Sequence, residues 1–356
     1  MRPAASVGAA DAAVRGQANA VYSRMAKAAE RFEKDWGELP NTKLDTGSDL
    51  KLGSRGERVA QLRSRLGLGD GDLFDAQTKR VVALYRAAHG LSKGIVVDGE
   101  MIASLNRGHS YYKRLIDLNL ARIAALPADL GERYILVDAA EQKLYMYADG
   151  KVEDTMRVVV GKEAQPTPMM AGMIRYAVVN PYWNIPPDLV RDNVAAKVLD
   201  QGRDYWDRNG FEALDGWSDD AKVLKFSDID WKAVAAGDFD LRVRQKPGPM
   251  NGMGQIKFMF PNQHGVYLHD TPSKSLFEEG ERLFSAGCVR VQNPWGLAEW
   301  LFGERPDSDK AGPESEVQLE TPVPVYITYL TAVPNSYGFE FREDFYRRDT
   351  PALAYR

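Results

Sequence analysis

Hydrophobic residues recur at every third or fourth position through the first third of the chain, a pattern that predicts helices. Residues 10–36 read as one amphipathic helix, and residues 37–48 form a turn-rich linker. Residues 50–106 show the spacing of several short helices, and residues 109–126 continue as a further helix that Pro127 ends. The apolar face of the first helix is formed by Val21, Met25, Ala28 and Phe32.

After about residue 130 the hydrophobic period changes to the two-residue repeat of β-strands. Asp149-Gly150 is a strong signal for a hairpin turn. The predicted strands cover residues 134–138, 143–147, 155–161, 176–180, 254–260, 265–269 and 323–330.

A stretch rich in Trp, Asp, Lys and Arg interrupts this β-rich region at about residues 183–249, with helical fragments at 187–198 and 229–236. It reads as an insertion into the sheet domain, either a substrate lid or a rigid added subdomain. The fold class predicted is α+β and multidomain. The expected divisions are 1–48 (helix and linker), 49–108 (helical module), 109–130 (linking helix) and 131–356 (mostly β, with the insertion).

Composition limits the possible functions. The 356 residues are 44% hydrophobic and carry a formal charge of −4, so the chain can bury cores and lacks the basic field that nucleic-acid binding needs. No run approaches the roughly 20 apolar residues of a membrane-spanning helix, and no apolar signal region follows the first residues. A signal or anchor removed ahead of the starting methionine would leave the same sequence.

Cys288 is the only cysteine, so it cannot form an intramolecular disulfide, and the four histidines show no zinc-finger spacing. A lone cysteine is usually a packing residue. Here Gly287 allows a tight turn with free amides, and Arg290 adds positive charge, which together favour a thiolate and a developing oxyanion. The pattern therefore favours a cysteine nucleophile.

His269, nineteen residues before Cys288 and at the end of a predicted strand, is the preferred base. His264 is its rival but lies in a turn, while His89 and His109 read as ordinary packing or surface residues. Asp270 is a candidate to orient the imidazole. Because neighbouring strand residues point to opposite faces, a backbone carbonyl is the alternative.

The helical module has its own motif: Gly-x-x-Gly-x-x-Val-x-x-Leu from Gly53, then Phe74-Asp75-x-x-Thr78 and a later Gly-Leu turn at Gly90. This pattern resembles the peptidoglycan-binding domain type 1 and implies cell-wall binding. The alternative is that these residues only shape a three-helix bundle.

A histidine followed by Ser-x-Gly-Cys-x-Arg resembles the L,D-transpeptidases with a YkuD-type catalytic domain. Further stretches resemble a large Gram-negative subgroup that carries a capping insertion. These stretches are Tyr267 to Pro272, Arg244 to Pro249, Asn180 to Pro187 and Phe341 to Asp344. Ala286 and Asp270 depart from residues found in many relatives, which leaves the orientation of the imidazole open.

The resemblance implies a sandwich-like β domain in the periplasm that cross-links peptidoglycan stem peptides. Cys288 would attack the third residue, diaminopimelate, of a tetrapeptide donor and expel D-alanine, and an acceptor diaminopimelate amine would complete a 3-3 cross-link. His269 would shuttle protons. No metal or organic cofactor is needed. The sacculus, carbapenem β-lactams as covalent inhibitors, and cell-wall synthesis proteins are the implied partners.

The same resemblance assigns supporting roles around this pair. Gly287 and Cys288 would lend oxyanion amides, with Arg290, Asp270 and Ser285 as support. Tyr267 and Trp183 would line the substrate pocket. The alternatives are a structural salt bridge for Arg290 and core packing for the two aromatic residues.

Other functions remain open from the sequence. Water as acceptor would make the chain an L,D-carboxypeptidase, and a different linkage or acyltransfer chemistry on stem peptides is also compatible. A catalytically dead wall-binding protein conflicts with the intact His269 and Cys288. A papain-like protease would place its cysteine before the histidine, the opposite of the order seen here.

Overall fold

The computed structural model describes residues 18–218, 220–350 and 353. Contacts divide the chain into two compact units. The first contains residues 1–131, 138–141 and 328–356, and the second contains residues 132–137 and 142–327.

The first unit is mainly helical, and side-chain caps fix where three of its described helices begin. Asn19 accepts a hydrogen bond from the Tyr22 amide, Asp75 from the Thr78 amide and Asp98 from the Met101 amide. The Asp75 cap is the one predicted from Phe-Asp-x-x-Thr, whereas residues 10–17 of the first predicted helix lie outside the described residues. The helices are α1 (Ala20–Trp36), α2 (Glu57–Arg65), α3 (Ala76–Ala88), α4 (Gly99–Arg107) and α5 (His109–Ala124).

Two apolar cores lie within this unit. Helices α2, α3 and α4 surround one, which includes Leu62, Phe74 and Leu105. The other joins α1 and α5 to two short strands near the end of the chain, β13 (Ala332–Pro334) and β14 (Phe339–Phe341). Residues after 328 thus group with the N-terminal helices, although the sequence pattern predicted them to be part of the β domain.

The second unit contains a nine-stranded sheet. Its strands are β1 (Arg133–Asp138), β2 (Lys143–Ala148), β3 (Lys151–Gly161), β4 (Met170–Val179), β8 (Ile256–Met259), β9 (Leu268–His269), β10 (Leu283–Ser285), β11 (Val289–Val291) and β12 (Ser315–Thr328). They lie in the order β10-β3-β11-β9-β8-β4-β12-β1-β2, and β2 also pairs with β3. The predicted hairpin joins β2 to β3, with Asp149 and Gly150 both at positive φ (49° and 72°). Helix α8 (Pro294–Phe302) follows β11.

The insertion has its own small sheet and core. Strands β5 (Trp183–Ile185), β7 (Arg242–Gln245) and β6 (Phe211–Leu214) pair in that order. Its helices pack on a core centred on Trp206 and Trp231. They comprise a turn at Pro187–Leu189, a π-helical stretch at Val190–Ala195, α6 (Ala196–Arg208, kinked at Gly202) and α7 (Trp231–Ala236). Within the described residues, none of the helices is long and apolar enough to span a lipid bilayer.

Candidate active site

The cysteine lies in a tight turn between β10 and β11. Gly287 has a φ of 110°, a backbone conformation that side-chain-bearing residues rarely adopt. The buried Ser285 holds the turn from inside, because its Oγ accepts a hydrogen bond from the Gly287 amide (3.1 Å) and donates one to the Cys288 carbonyl (2.5 Å). Ser285 therefore supports the shape of the turn that presents the thiol.

A second hydroxyl holds the same turn from the end of β3. The Oγ1 of Thr167, which is fully buried, accepts a hydrogen bond from the Gly161 amide (2.8 Å) and donates one to the Gly287 carbonyl (2.9 Å). Thr167 was not predicted as a site residue from the sequence. Its place between Pro166 and Pro168 indicates a fixed turn. The sequence does not indicate which residues that turn contacts.

Strand register brings the reactive residues to one face of the sheet. Strands β9 and β11 run parallel, with Leu268 opposite Val289 and His269 opposite Arg290. The Val289 amide donates to the Tyr267 carbonyl (3.1 Å), which extends the pairing by one residue. Because side chains alternate between faces, the fully buried Leu268 and Val289 point into the core. Four side chains share the opposite face: Tyr267, His269, Cys288 and Arg290.

A backbone carbonyl holds the buried His269 imidazole. Its Nδ1–H donates to the Asp270 carbonyl oxygen at 2.5 Å, which places the proton on Nδ1 and leaves the Nε2 lone pair able to accept one. Burial, followed by the positive charge of Arg290, lowers the pKa of His269 to about 3. The carbonyls of Asp270 and Met253 act in the opposite direction. The imidazole is therefore neutral at physiological pH, as a general base must be.

The Cys288 thiol is half-buried and donates to the Gly265 carbonyl, with 3.7 Å between sulfur and oxygen. Burial raises the pKa of this thiol, and the Tyr267 amide and Arg290 offset that effect only in part. In the substrate-free protein the expectation of a resting thiolate is wrong, because the loss of hydration on burial raises the pKa of the thiol more than nearby positive charge lowers it. The nucleophile rests as a thiol beside a neutral base.

Arg290 places a positive charge near both His269 and Cys288. Among the described residues no ion pair joins its guanidinium, and its buried Nε has no hydrogen-bond partner. Burial lowers the pKa of Arg290. The structural salt bridge considered from the sequence is absent from this part of the chain, and the guanidinium is left beside the reactive pair.

The side chain of Asp270 is used for structure. Its carboxylate accepts from the Gln255 amide (2.9 Å) and forms an ion pair with Lys274 (2.5 Å). Asp270 therefore orients His269 through its main chain, while its buried carboxylate fixes that main chain to the neighbouring loop.

A model of the YkuD L,D-transpeptidase catalytic domain matches residues 132–325, more than half of the chain. The chain belongs to the YkuD family of L,D-transpeptidases. A curated Haemophilus influenzae protein, provisionally named as an L,D-transpeptidase, is 31% identical over 222 residues. The match covers 58% of this chain and 44% of that protein, so the chain spans less than half of its length.

Solved structures of L,D-transpeptidases are also similar to the chain. A Mycobacterium smegmatis L,D-transpeptidase is 14% identical, with 55% of this chain and 58% of that chain covered and a TM-score of 0.27. The catalytic domain of an E. faecium L,D-transpeptidase acylated by ertapenem is 15% identical, with 54% and 98% covered and a TM-score of 0.27. Because these scores are below 0.5, membership of the YkuD family rests on the domain match.

The YkuD domain of this chain uses two of the sequence-predicted residues differently from expectation. The Gly287 amide, assigned to an oxyanion hole, is occupied by Ser285, so the Cys288 amide is the remaining main-chain donor of that pair. Trp183, assigned to the substrate pocket, lies in β5 at the base of the insertion. Its ring lies so close to Gly252 that a Cβ there would be 2.7 Å from the ring. This contact supports the alternative that Trp183 is a packing residue.

The structure also gives the positions of Tyr267 and of the other histidines. Tyr267 is half-buried, and both burial and the charge of a Cys288 thiolate raise the pKa of its phenol. It therefore lies at the nucleophile. The rival His264 is exposed in the turn before β9, and His89 is buried in the helical unit against Tyr85.

Proposed function

We propose that this YkuD-family chain is a periplasmic L,D-transpeptidase that joins peptidoglycan stem peptides through a thioester on Cys288. The observation that carries the proposal is the shared face of His269 and Arg290, paired on two adjacent parallel strands, with Tyr267 and Cys288 directly before those strands. A neutral base, a thiol and a cation on one surface are suited to acyl transfer.

In the first half-reaction the Cys288 sulfur attacks the carbonyl carbon of the third stem residue, diaminopimelate. His269 Nε2 takes the thiol proton as the S–C bond forms, and then gives it to the nitrogen of the departing D-alanine as the C–N bond breaks. The Cys288 amide donates to the oxyanion, and the Arg290 guanidinium offers a site for negative charge on the donor or the intermediate.

In the second half-reaction the side-chain amine of an acceptor diaminopimelate attacks the thioester carbon. A new C–N bond forms, the C–S bond breaks, and His269 carries the amine proton back to the sulfur. The product is a 3-3 cross-link. Water in place of the amine gives a tripeptide, the L,D-carboxypeptidase outcome.

Two further assignments belong to this proposal. Residues 49–108 bind the cell wall and so hold the enzyme on the sacculus, where cell-wall synthesis proteins are candidate partners. Carbapenems acylate Cys288 because a β-lactam carbonyl presents the same electrophile as the donor peptide.

Muropeptide chromatography after incubation with disaccharide-tetrapeptide tests the reaction. We expect a dimer with the loss of D-alanine, and no product with Cys288→Ala or His269→Ala, while His264→Ala retains activity. Tripeptide alone would support the carboxypeptidase, and no product from the folded wild-type protein would overturn the proposal. Intact-protein mass spectrometry with a carbapenem is expected to show one adduct, absent from Cys288→Ala.

A further inference from the structure

The loop of residues 246–255 connects the insertion to the strand next to the catalytic histidine. It leaves β7, the last strand of the insertion, and enters β8, which pairs with β9. Asn251 lies in the middle of this loop and is only 1% exposed. A buried side-chain amide with all its polar atoms used fixes the backbone around it.

The Asn251 side chain joins both ends of the insertion. Its Nδ2 donates to the Pro181 carbonyl (2.9 Å), just before the insertion, and to the Gln245 (3.2 Å) and Lys246 (3.0 Å) carbonyls at its end. Its Oδ1 accepts from the Met253 amide (2.7 Å), on the side of the loop that leads to the active site. One side chain therefore contacts the base of the insertion and the approach to His269.

A second buried amide strengthens the same base. The Nε2 of Gln245 donates to the Asn209 (2.9 Å) and Met250 (2.8 Å) carbonyls, and its Oε1 accepts from the Gly252 amide (2.9 Å). Gly252 in turn lies against the Trp183 ring. The Gln245 side chain thus binds main-chain groups of the insertion and main-chain groups of the loop on both sides of Asn251.

From Asn251 the loop continues to the group that orients the imidazole. On the way, the carbonyl of Met253 comes close enough to the His269 ring to raise its pKa. Gly254 has a φ of 64°, and a Cβ on it would be 2.3 Å from the Asp270 carboxylate, so only glycine permits this approach. The Gln255 amide then donates to Asp270, whose carbonyl accepts from His269 Nδ1.

We propose that Asn251 is a positioning residue for His269. By fixing the base of the insertion to the loop of residues 246–255, it sets the orientation and tautomer of the imidazole. The proposal rests on the proposed function of His269 as the base. It gives the insertion a role in catalysis that needs no contact between the insertion and the substrate.

The test uses Asn251→Asp in the full chain. The carboxylate keeps the acceptor for the Met253 amide and the size of the side chain, but it has no donor for the three carbonyls. The matched control is Asn119→Asp in the helical unit. Asn119 is also fully buried, donates to the Leu115 carbonyl and the Thr331 hydroxyl, and accepts from the Thr331 amide.

Imidazole ¹⁵N chemical shifts provide a readout that does not depend on activity. His269→Ala identifies the His269 signals among the four histidines. In the wild-type protein we expect one protonated and one unprotonated ring nitrogen, and in Asn251→Asp averaging of the two tautomers. Asn119→Asp is expected to leave the His269 signals unchanged even where it lowers the melting temperature.

Kinetics give the second readout. Below the melting temperature, kcat of Asn251→Asp is expected to fall on the order of tenfold to a hundredfold, with KM nearly unchanged, because misplacement of a base affects the reacting step. Wild-type His269 signals and kcat in the folded variant would refute the positioning role. If Asn251→Asp does not fold, Asn251→Ser decides by the same two measurements. If no substrate is turned over by the wild type, the proposed function fails, while the ¹⁵N shifts still decide this inference.

Discussion

At the scale of single residues, burial keeps both reactive groups uncharged before substrate arrives. It raises the pKa of the Cys288 thiol and lowers that of His269 to about 3. A thiol and a neutral imidazole transfer the proton as the sulfur attacks, so the base is available across the whole physiological pH range. A preformed ion pair would instead need a depressed thiol pKa and a raised imidazole pKa.

This charge state predicts how the thiol alkylates with pH. The rate of Cys288 with iodoacetamide is expected to keep rising beyond the ordinary thiol pKa of about 8.5, because the thiolate forms late. The same chain unfolded in urea is the matched control, since its only thiol is then exposed. Mass spectrometry of quenched time points over a pH series measures the alkylation rates of the folded and the unfolded chain. A rate plateau below pH 7 in the folded protein would mean a resting thiolate.

Thr167 predicts a distinct effect at the same scale. Thr167→Val keeps the shape but removes the hydroxyl, and with it the hydrogen bonds to the buried Gly161 amide and Gly287 carbonyl. The expected cost is about 1–3 kcal/mol of stability. A turn that no longer holds Cys288 is also expected to lower kcat by about tenfold or more.

Thr167→Ser is the control for that effect, because it retains the hydroxyl. Urea unfolding and steady-state kinetics are measured on both variants. Equal kcat in the folded Val and Ser variants would remove Thr167 from the support of the nucleophile.

The sequence identified Cys288 and His269 because their types and local motifs are themselves informative. It did not identify Thr167 or Asn251, whose partners are distant in sequence or depend on a loop path. The Gly287 amide was misassigned for a related reason. Glycine predicts a tight turn, but only coordinates tell which acceptor its amide meets.

At the scale of elements, local patterns predict strands more reliably than their ends. The β2–β3 hairpin follows from Asp149-Gly150 and alternating apolar residues. Strand β9 is shorter than predicted. Gly265 is at positive φ, and both the amide and the carbonyl of Val266 bond to the Asn262 side chain instead of a neighbouring strand. The first half of β12 was missed because only Val317 and Leu319 alternate there with exposed polar residues, and two apolar positions are a weak strand signal.

The helical module yields the prediction at this scale. If residues 49–108 bind the wall, deletion of the module is expected to weaken sacculus pull-down severalfold while leaving the soluble muropeptide reaction largely intact. Because Leu52 and Leu84 are exposed, point variants at these positions change the surface of the module while its α2–α4 core stays folded, and they serve as controls for the deletion. Unchanged pull-down by a folded deletion variant would leave the module a structural bundle.

At the scale of the whole molecule, the helical unit is assembled from segments distant in the chain. Residues 138–141 and 328–356 belong with the N-terminal helices. A partly buried ion cluster joins two of these segments: Arg342 contacts the buried Asp138 (2.6 Å), Glu141 (3.0 Å) and Glu340 (2.7 Å). Asp138 also accepts from the Leu330 and Ala140 amides, so these two amides and Arg342, all in one unit, hold its carboxylate.

Arg342→Met is expected to destabilise the helical unit by about 3–5 kcal/mol, because it leaves the buried Asp138 carboxylate without its cation. Arg203→Met, which breaks the exposed pair with Asp207, is the control and is expected to cost at most about 1 kcal/mol. Hydrogen exchange read by mass spectrometry locates the effect, which we expect as faster exchange in α1, α5 and β13–β14. A second change, Asp138→Leu in the Arg342→Met background, is expected to restore part of the stability, because it removes the buried charge. Wild-type rates of hydrogen exchange in the single and double variants would mean that the ion cluster does not hold these segments together. The apolar core of α1, α5, β13 and β14 would then do so alone.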